Sequence, residues 1–283
     1  MPVMDPRLTP ARPDLAAAHL KGLVEAERFV EPVLWQCAIA AAPIRRTPAA
    51  DGAMDDQLLA GEQFAVLDQS DGWAWGYAKS SGYVGWVDLA GLSSKTQNPD
   101  RRITVLRTYG FSRPDMKSAP VVLLSLNSGI STGEREASFV HAGDLGWIHE
   151  AHTAPIDQTA SDFVAVAEAF LGAPYLWGGK ESLGLDCSGL LQMALVATGV
   201  PAPRDADQQE DFLRDSWQDV TGDVGRQRGD VVFWPGHVGI MTDSEHLLHA
   251  NAHTMDTTLE SFREAEARIA DKENPVRSIF RAA

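Results

Sequence analysis

Cys187 stands where a thiol can do chemistry, and it is one of only two cysteines in the chain. It follows the glycine-marked turn Leu183-Gly184-Leu185-Asp186 and begins the apolar run from Ser188-Gly189-Leu190 to Ala197, which stops at Gly199-Val200-Pro201. That pattern predicts a buried helix with the thiol in its first turn. The positive end of the helix dipole, together with a nearby imidazolium, can lower a thiol pKa from ~8.5 to ~3.5–7.5, so a resting thiolate nucleophile is expected. The competing reading is a small buried hydrophobe. What separates the two is whether the chain also supplies a base.

A thiol nucleophile needs a base, a group that orients the base, and donors for the oxyanion. The run Val231-Val232-Phe233-Trp234, the turn Pro235-Gly236 and the run His237-Val238-Gly239-Ile240 predict two strands, with His237 beside the core. An imidazole there titrates in the working pH range and suits a general base. The next predicted strand carries His249. A three-residue loop, Thr242-Asp243-Ser244, sets His237 opposite His249 on one face of the sheet, whereas a four-residue loop separates them. His249 is therefore the expected orienter, ahead of His246 near the turn and His253 beyond the strand, both read as surface residues. Upstream, "LGAPYLWGG" places Tyr175 twelve residues before Cys187. Its phenol and the Cys187 backbone N–H are candidate oxyanion donors, with plain packing as the alternative for Tyr175. Asp186 caps the helix or orients neighbouring amides. Asp186, Ser188 and Trp177 are assigned to substrate binding. His149 and His152 lie three apart, but without cysteine or the H-E-x-x-H spacing no metal site is predicted, and no organic cofactor is implied.

The elements that must position these groups follow from composition and pattern. A chain of 283 residues exceeds one domain of roughly 100–150 residues. The net charge of −15 argues against a general binder of nucleic acid or anionic membrane, which needs clustered Lys and Arg. No apolar run approaches the ~20 residues of a membrane span, and residues 1–7 show no secretory h-region. A cytoplasmic location is expected, and no protein partner is read from the sequence. Residues 1–35 are taken as a helical strap, with a helix over Asp14 to Val30 capped by Asp14 and ended by Pro32. Residues 36–95 read as short strands broken at Asp51-Gly52, Ala60-Gly61, Asp71-Gly72 and Ser81-Gly82, a small all-β barrel. Residues 96–157 repeat its closing phrase, "DLGWIHEAHTAP" against "YVGWVDLAGL", and are taken as a second barrel. Residues 158–283 place helices at Ser161–Leu171, Cys187–Gly199 and Ala206–Trp217 ahead of strands, which predicts an α+β domain with an antiparallel sheet.

Two resemblances follow from these phrases. "GAPYLWGGKESLGLDCSGLLQMAL", "VPAPRDADQQ" and "RGDVVFWPGHVGIMTDSEHLLHAN" resemble, in order and spacing, the NlpC/P60 family of papain-like cysteine peptidases that cut bacterial cell-wall peptides. The resemblance implies a nucleophile at Cys187, a base at His237, a third polar residue at His249 and an oxyanion-side tyrosine at Tyr175. "LLAGEQFAVLDQSDGWAWGYA" and "SSGYVGWVDLAGL" resemble the bacterial SH3-like domain. Two such barrels ahead of the peptidase domain look like the γ-D-glutamyl-L-diamino acid endopeptidases of murein peptide recycling. In that subgroup the first barrel closes one end of the groove, so that a peptide with a free L-Ala amine fits; an ammonium taken from water needs a carboxylate and acceptors. The candidates are Asp55, Asp56 and Tyr83, although the acid expected in the subgroup lies one or two places earlier, where this chain has Ala53 and Met54. The implied substrate is a murein peptide. Alternatives are a cell-wall amidase or acyltransferase using the same thiol, and a non-catalytic murein-binding module.

Overall fold

The computed structural model describes residues 4–222, 225–270 and 274–282. The chain forms two units, Met1–Asp157 and Gln158–Ala283. No helix among the described residues is long and apolar enough to cross a membrane.

In the first unit, residues 33–93 form a seven-stranded sheet in the order Leu92–Ser93, Val33–Cys37, Gln63–Ser70, Trp73–Ala78, Val84–Asp88, Ala41–Arg45, Met54–Leu59. Alternate residues point inward, and Ile44, Leu58, Phe64, Val66 and Val87 make the core. After Val84–Asp88 the Asp88 carboxylate accepts from the Ala90 N–H at 2.9 Å, starting the 3₁₀ turn Leu89–Gly91. The chain then returns to its own first strand, with Leu92 opposite Cys37. Residues 101–155 reproduce this device: strand Trp147–His149, 3₁₀ turn Glu150–His152, then Thr153–Pro155 pairing with Arg101–Ile103, Thr153 opposite Ile103. Their core includes Ile103, Leu124, Ile130 and Ile148, with Ala60 of the preceding module packed into it. The repeated phrase is thus a repeated way of closing a small β module.

Residues Asp14–Val30 are not a helix. Leu15–Ala17 pairs with Ala11–Arg12 as a hairpin and in parallel with Phe29–Val30, and the one helical turn is the 3₁₀ segment Ala18–Leu20. Leu15, Ala17 and Leu20 are buried against Leu67 and Trp75 of the adjoining sheet, and the Arg12 guanidinium stacks 4.3 Å from the Trp75 ring. The apolar spacing that fits a helical stripe serves equally for a strand and turn, and packing against the sheet decides between them.

The second unit has α1 (Phe163–Glu168), α2 (Cys187–Ala197), α3 (Ala206–Ser216) and α4 (Phe262–Ala270). Its six-stranded antiparallel sheet runs Gln218–Asp219, Ser278–Arg281, Val231–Trp234, His237–Met241, His246–Asn251, Asp256–Ser261. α2 packs on α1 and on the two strands that carry His237 and His249, which is why nearly its whole surface is apolar. The register between those strands differs from the expected one. Met241 pairs with Leu247 and Ile240 with Leu248, so the loop is Asp243-Ser244-Glu245. The Asp243 carboxylate accepts from the backbone N–H of Glu245 at 2.7 Å and of His246 at 2.9 Å, which builds the turn one residue later. His237 and His249 are therefore not direct partners. The slip moves the pairing by an even number of positions, so both rings stay on one face.

Candidate active site

α2 begins at Cys187 because Asp186 caps it, its carboxylate accepting from the Gly189 N–H at 2.8 Å. The same carboxylate accepts from the Gly178 N–H at 2.8 Å and from the Arg204 guanidinium at 2.7 and 2.9 Å. Arg204 is 1% exposed, and it also donates to Ser188 Oγ at 2.8 Å. Asp186 and Ser188, expected at the substrate, thus lie beneath the helix start with their oxygens bound by protein donors. Arg204 lies in the phrase "VPAPRDADQQ", but nothing local marks it as buried. Gly189 is required for close approach, since a Cβ there would meet the Gly179 carbonyl oxygen at 2.3 Å.

The thiol of Cys187 is buried, with the backbone N–H groups of Val238 and Ser188 near enough to favour its charged form. It therefore meets the strand of the base one residue beyond His237. His237 Nε2 lies 2.7 Å from His249 Nδ1, and His249 is fully buried. Tyr175 is brought beside the helix start by a parallel bridge to Leu185. Burial first, then the neighbouring Cys187, raise its phenol above the ordinary tyrosine range, so it remains an O–H donor at neutral pH. Trp177 is 61% exposed on the same loop. A cavity of about 350 Å³ opens beside the imidazoles, lined also by Pro235, Asn251, His253, Arg268 and Asn274. His246 is exposed and bound to Asp243, and His253 is exposed.

The other sequence candidates stand in the first unit. Asp55 is paired with Arg46 at 2.5 Å. Asp56 is fully buried and accepts from Ser81 Oγ at 3.1 Å, while Tyr83 belongs to the core of the first module. Among the described residues no cluster of His, Cys, Asp or Glu has the makings of a metal site.

The electrostatics correct one expectation. Burial pushes the Cys187 thiol up to about 12, with Asp186 adding to it, and this outweighs the N–H donors at the helix start and the Arg204 charge. Burial likewise pushes His237 down to about 3, helped by His249 and Arg268 and opposed by Glu260. Both shifts favour an uncharged thiol and an uncharged imidazole at pH 7, with the thiolate arising by proton transfer as substrate reacts. A helix dipole contributes the equivalent of about half a charge, too little to offset complete removal from water. We expect the thiolate ultraviolet band to be absent at pH 7, with the spectrum of Cys187→Ala superimposing on that of the parent. Protonation of His237 removes the base only as pH falls through its depressed value, so the acid limb of kcat/KM lies well below the ordinary imidazole pKa of ~6.5. A resolved thiolate band at neutral pH, or a limb near 6.5, would contradict this.

A thiol at a helix start, an imidazole on the facing antiparallel strand and a second ring behind it define a cysteine peptidase site of the papain type. Residues 172–268 match the NlpC/P60 family, and residues 44–92 match the bacterial dipeptidyl-peptidase SH3 domain; the second unit is thus an NlpC/P60 peptidase domain and the first carries a bacterial SH3 domain. The chain is 35% identical to "Dipeptidyl-peptidase 6" of Lysinibacillus sphaericus over 43% of its own length and 46% of that protein's, so it spans about half of this relative. It is 25% identical to "Gamma-D-glutamyl-L-lysine dipeptidyl-peptidase" of Bacillus subtilis, over 71% of this chain and 73% of that one. The crystal structure of an NlpC/P60 family protein from Bacillus cereus shares the fold, with a TM-score of 0.72 at 17% identity, covering 88% of this chain and 99% of that one.

Proposed function

We propose that the protein hydrolyses the amide between the γ-carboxyl of D-glutamate and a diamino acid in short peptidoglycan-derived peptides that carry a free N-terminal L-Ala, as a step of murein peptide recycling in the cytoplasm. The observation that carries the reading is the thiol of Cys187 held against the strand of His237, whose ring is backed by His249. Relatives named for γ-D-glutamyl-L-lysine dipeptidyl-peptidase activity support the bond, and the repeated closing device of residues 101–155 supports a second SH3-like barrel.

The reaction follows from the donors available. Cys187 Sγ attacks the γ-carbonyl carbon as its proton passes to His237, forming the S–C bond and an oxyanion. The Tyr175 O–H and the Cys187 backbone N–H can receive that oxyanion. The C–N bond then breaks, and the leaving amine takes the proton from the His237 imidazolium. Water, deprotonated by His237, attacks the thioester, releasing L-Ala-γ-D-Glu and restoring the thiol.

A dipeptide cut from a free end requires recognition of its ammonium, and a buried ammonium without a partner is costly. We expect L-Ala-γ-D-Glu-diaminopimelate to be cleaved at the γ-amide, and its N-acetylated copy to show kcat/KM lower by ~100-fold or more. Equal cleavage of both peptides would remove the free-amine requirement and leave the peptidase reading standing. Products other than L-Ala-γ-D-Glu and free diaminopimelate, identified by mass, would replace hydrolysis by another acyl transfer.

A further inference from the structure

Behind His249 the side-chain chain continues. His249 Nε2 lies 2.6 Å from Glu260 Oε1, and both Glu260 oxygens accept from the Arg268 guanidinium, at 2.5 and 2.7 Å. Glu260 is on the strand Asp256–Ser261 opposite Leu247, hence on the same face as His249, and Arg268 reaches it from α4. We infer that Glu260 is a positioning residue that sets the hydrogen pattern of both imidazoles, leaving Nδ1 of His237 as the bare nitrogen that takes the Cys187 proton. This relay rests on the reading of Cys187 and His237 as nucleophile and base.

The assignment follows from counting donors and acceptors. A carboxylate only accepts, so His249 must carry its hydrogen on Nε2. In the uncharged ring Nδ1 is then an acceptor, and across the 2.7 Å contact His237 donates from Nε2. A neutral His237 with its hydrogen on Nε2 keeps Nδ1 free. Arg268 has a separate task. Its hydrogen bonds, ahead of the one from His249, hold the Glu260 carboxyl down at about 2. The carboxylate therefore stays an acceptor through turnover, and the proton taken from sulfur rests on the imidazoles, available for the leaving amine.

Glu260→Gln inverts the pattern. The two Arg268 donors claim the one amide oxygen, which turns the amide N–H₂ toward His249 Nε2. His249 must then donate from Nδ1, and His237 is left with its hydrogen on Nδ1, the nitrogen inferred to take the thiol proton. A wrong tautomer of this kind costs a triad enzyme up to ~10⁴-fold in rate. The readouts chosen do not depend on which peptide is the substrate. Nitrogen NMR of the parent protein is expected to show His237 protonated on Nε2 and bare on Nδ1. Alkylation of Cys187 by iodoacetamide at pH 7 is expected to slow ~100-fold or more in Glu260→Gln, with the thermal midpoint retained. Adding Arg268→Leu frees the amide to rotate, and alkylation should recover ~10-fold or more, a rescue that a merely structural role for Glu260 would not give. A hydrogen on Nδ1 of His237 in the parent, parental alkylation in Glu260→Gln, or a double variant no faster than the single would each overturn the assignment. Altered peptide specificity with these readouts intact would bear only on the substrate.

Discussion

Cys187→Ala is expected to lower turnover of γ-D-glutamyl peptides by ~10⁵-fold or more while shifting stability by no more than ~1 kcal/mol, because loss of the nucleophile removes the covalent route and leaves only binding and oxyanion donors. The substitution deletes one buried atom from the first turn of α2 and leaves the Asp186 cap and the Arg204 pair in place. Cys187→Ser should be nearly as inactive. A hydroxyl is a far weaker acid than a thiol, and a buried imidazole pushed down to about 3 is a weak base for it. Single-turnover kinetics with a defined muropeptide, beside a thermal melt, read both quantities. Activity within tenfold of the parent in Cys187→Ala would sink the assignment of the nucleophile.

The second large effect is on stability. Arg204 makes a two-pronged ion pair with Asp186 in which the arginine is 1% exposed and the aspartate 5%. Replacing one member leaves the other charged and out of water, which typically costs ~3–5 kcal/mol. Arg204→Leu is therefore expected to lower the melting midpoint by roughly 10 °C, and to impair catalysis because the Asp186 carboxylate also anchors the loop at Gly178 and the first turn of α2. Arg204→Lys restores the charge without the planar fork and should fall between the two. The pair Asp186→Asn with Arg204→Leu should be less destabilised than the two single losses together, since no lone charge remains. A melting midpoint unchanged in Arg204→Leu would show that the helix start is held by other means.

How much of this was legible depends on the range of the cause. α2 and the strand Val231–Trp234 are local patterns, a long apolar run with a cap and a short β-branched run ended by Pro-Gly, and both form where those patterns lie. His237 and His249 share a face because strand parity survives a slip of the loop, although the loop itself formed around Asp243. Glu260 and Arg268 carried no comparable mark. Their strand and helix follow the turn at Asn251, whose carboxamide oxygen accepts from the N–H groups of His253 and Thr254, and a glutamate before an amphipathic helix reads as any solvated acid. The Asp14–Val30 stretch shows the converse, an apolar spacing compatible with two structures and settled by the sheet it packs on.

The order of residues alone determined which side chains are able to attack, take a proton and donate, because those capacities belong to residue type and to neighbours a few positions away. Tertiary structure decided the burial that bears on each group's charge and the ring and carboxylate contacts behind the base. Desolvation depends on every segment packed around a site, and hydrogen placement passes along contacts between residues as distant in sequence as His237 and Glu260, so neither can be read from a local window.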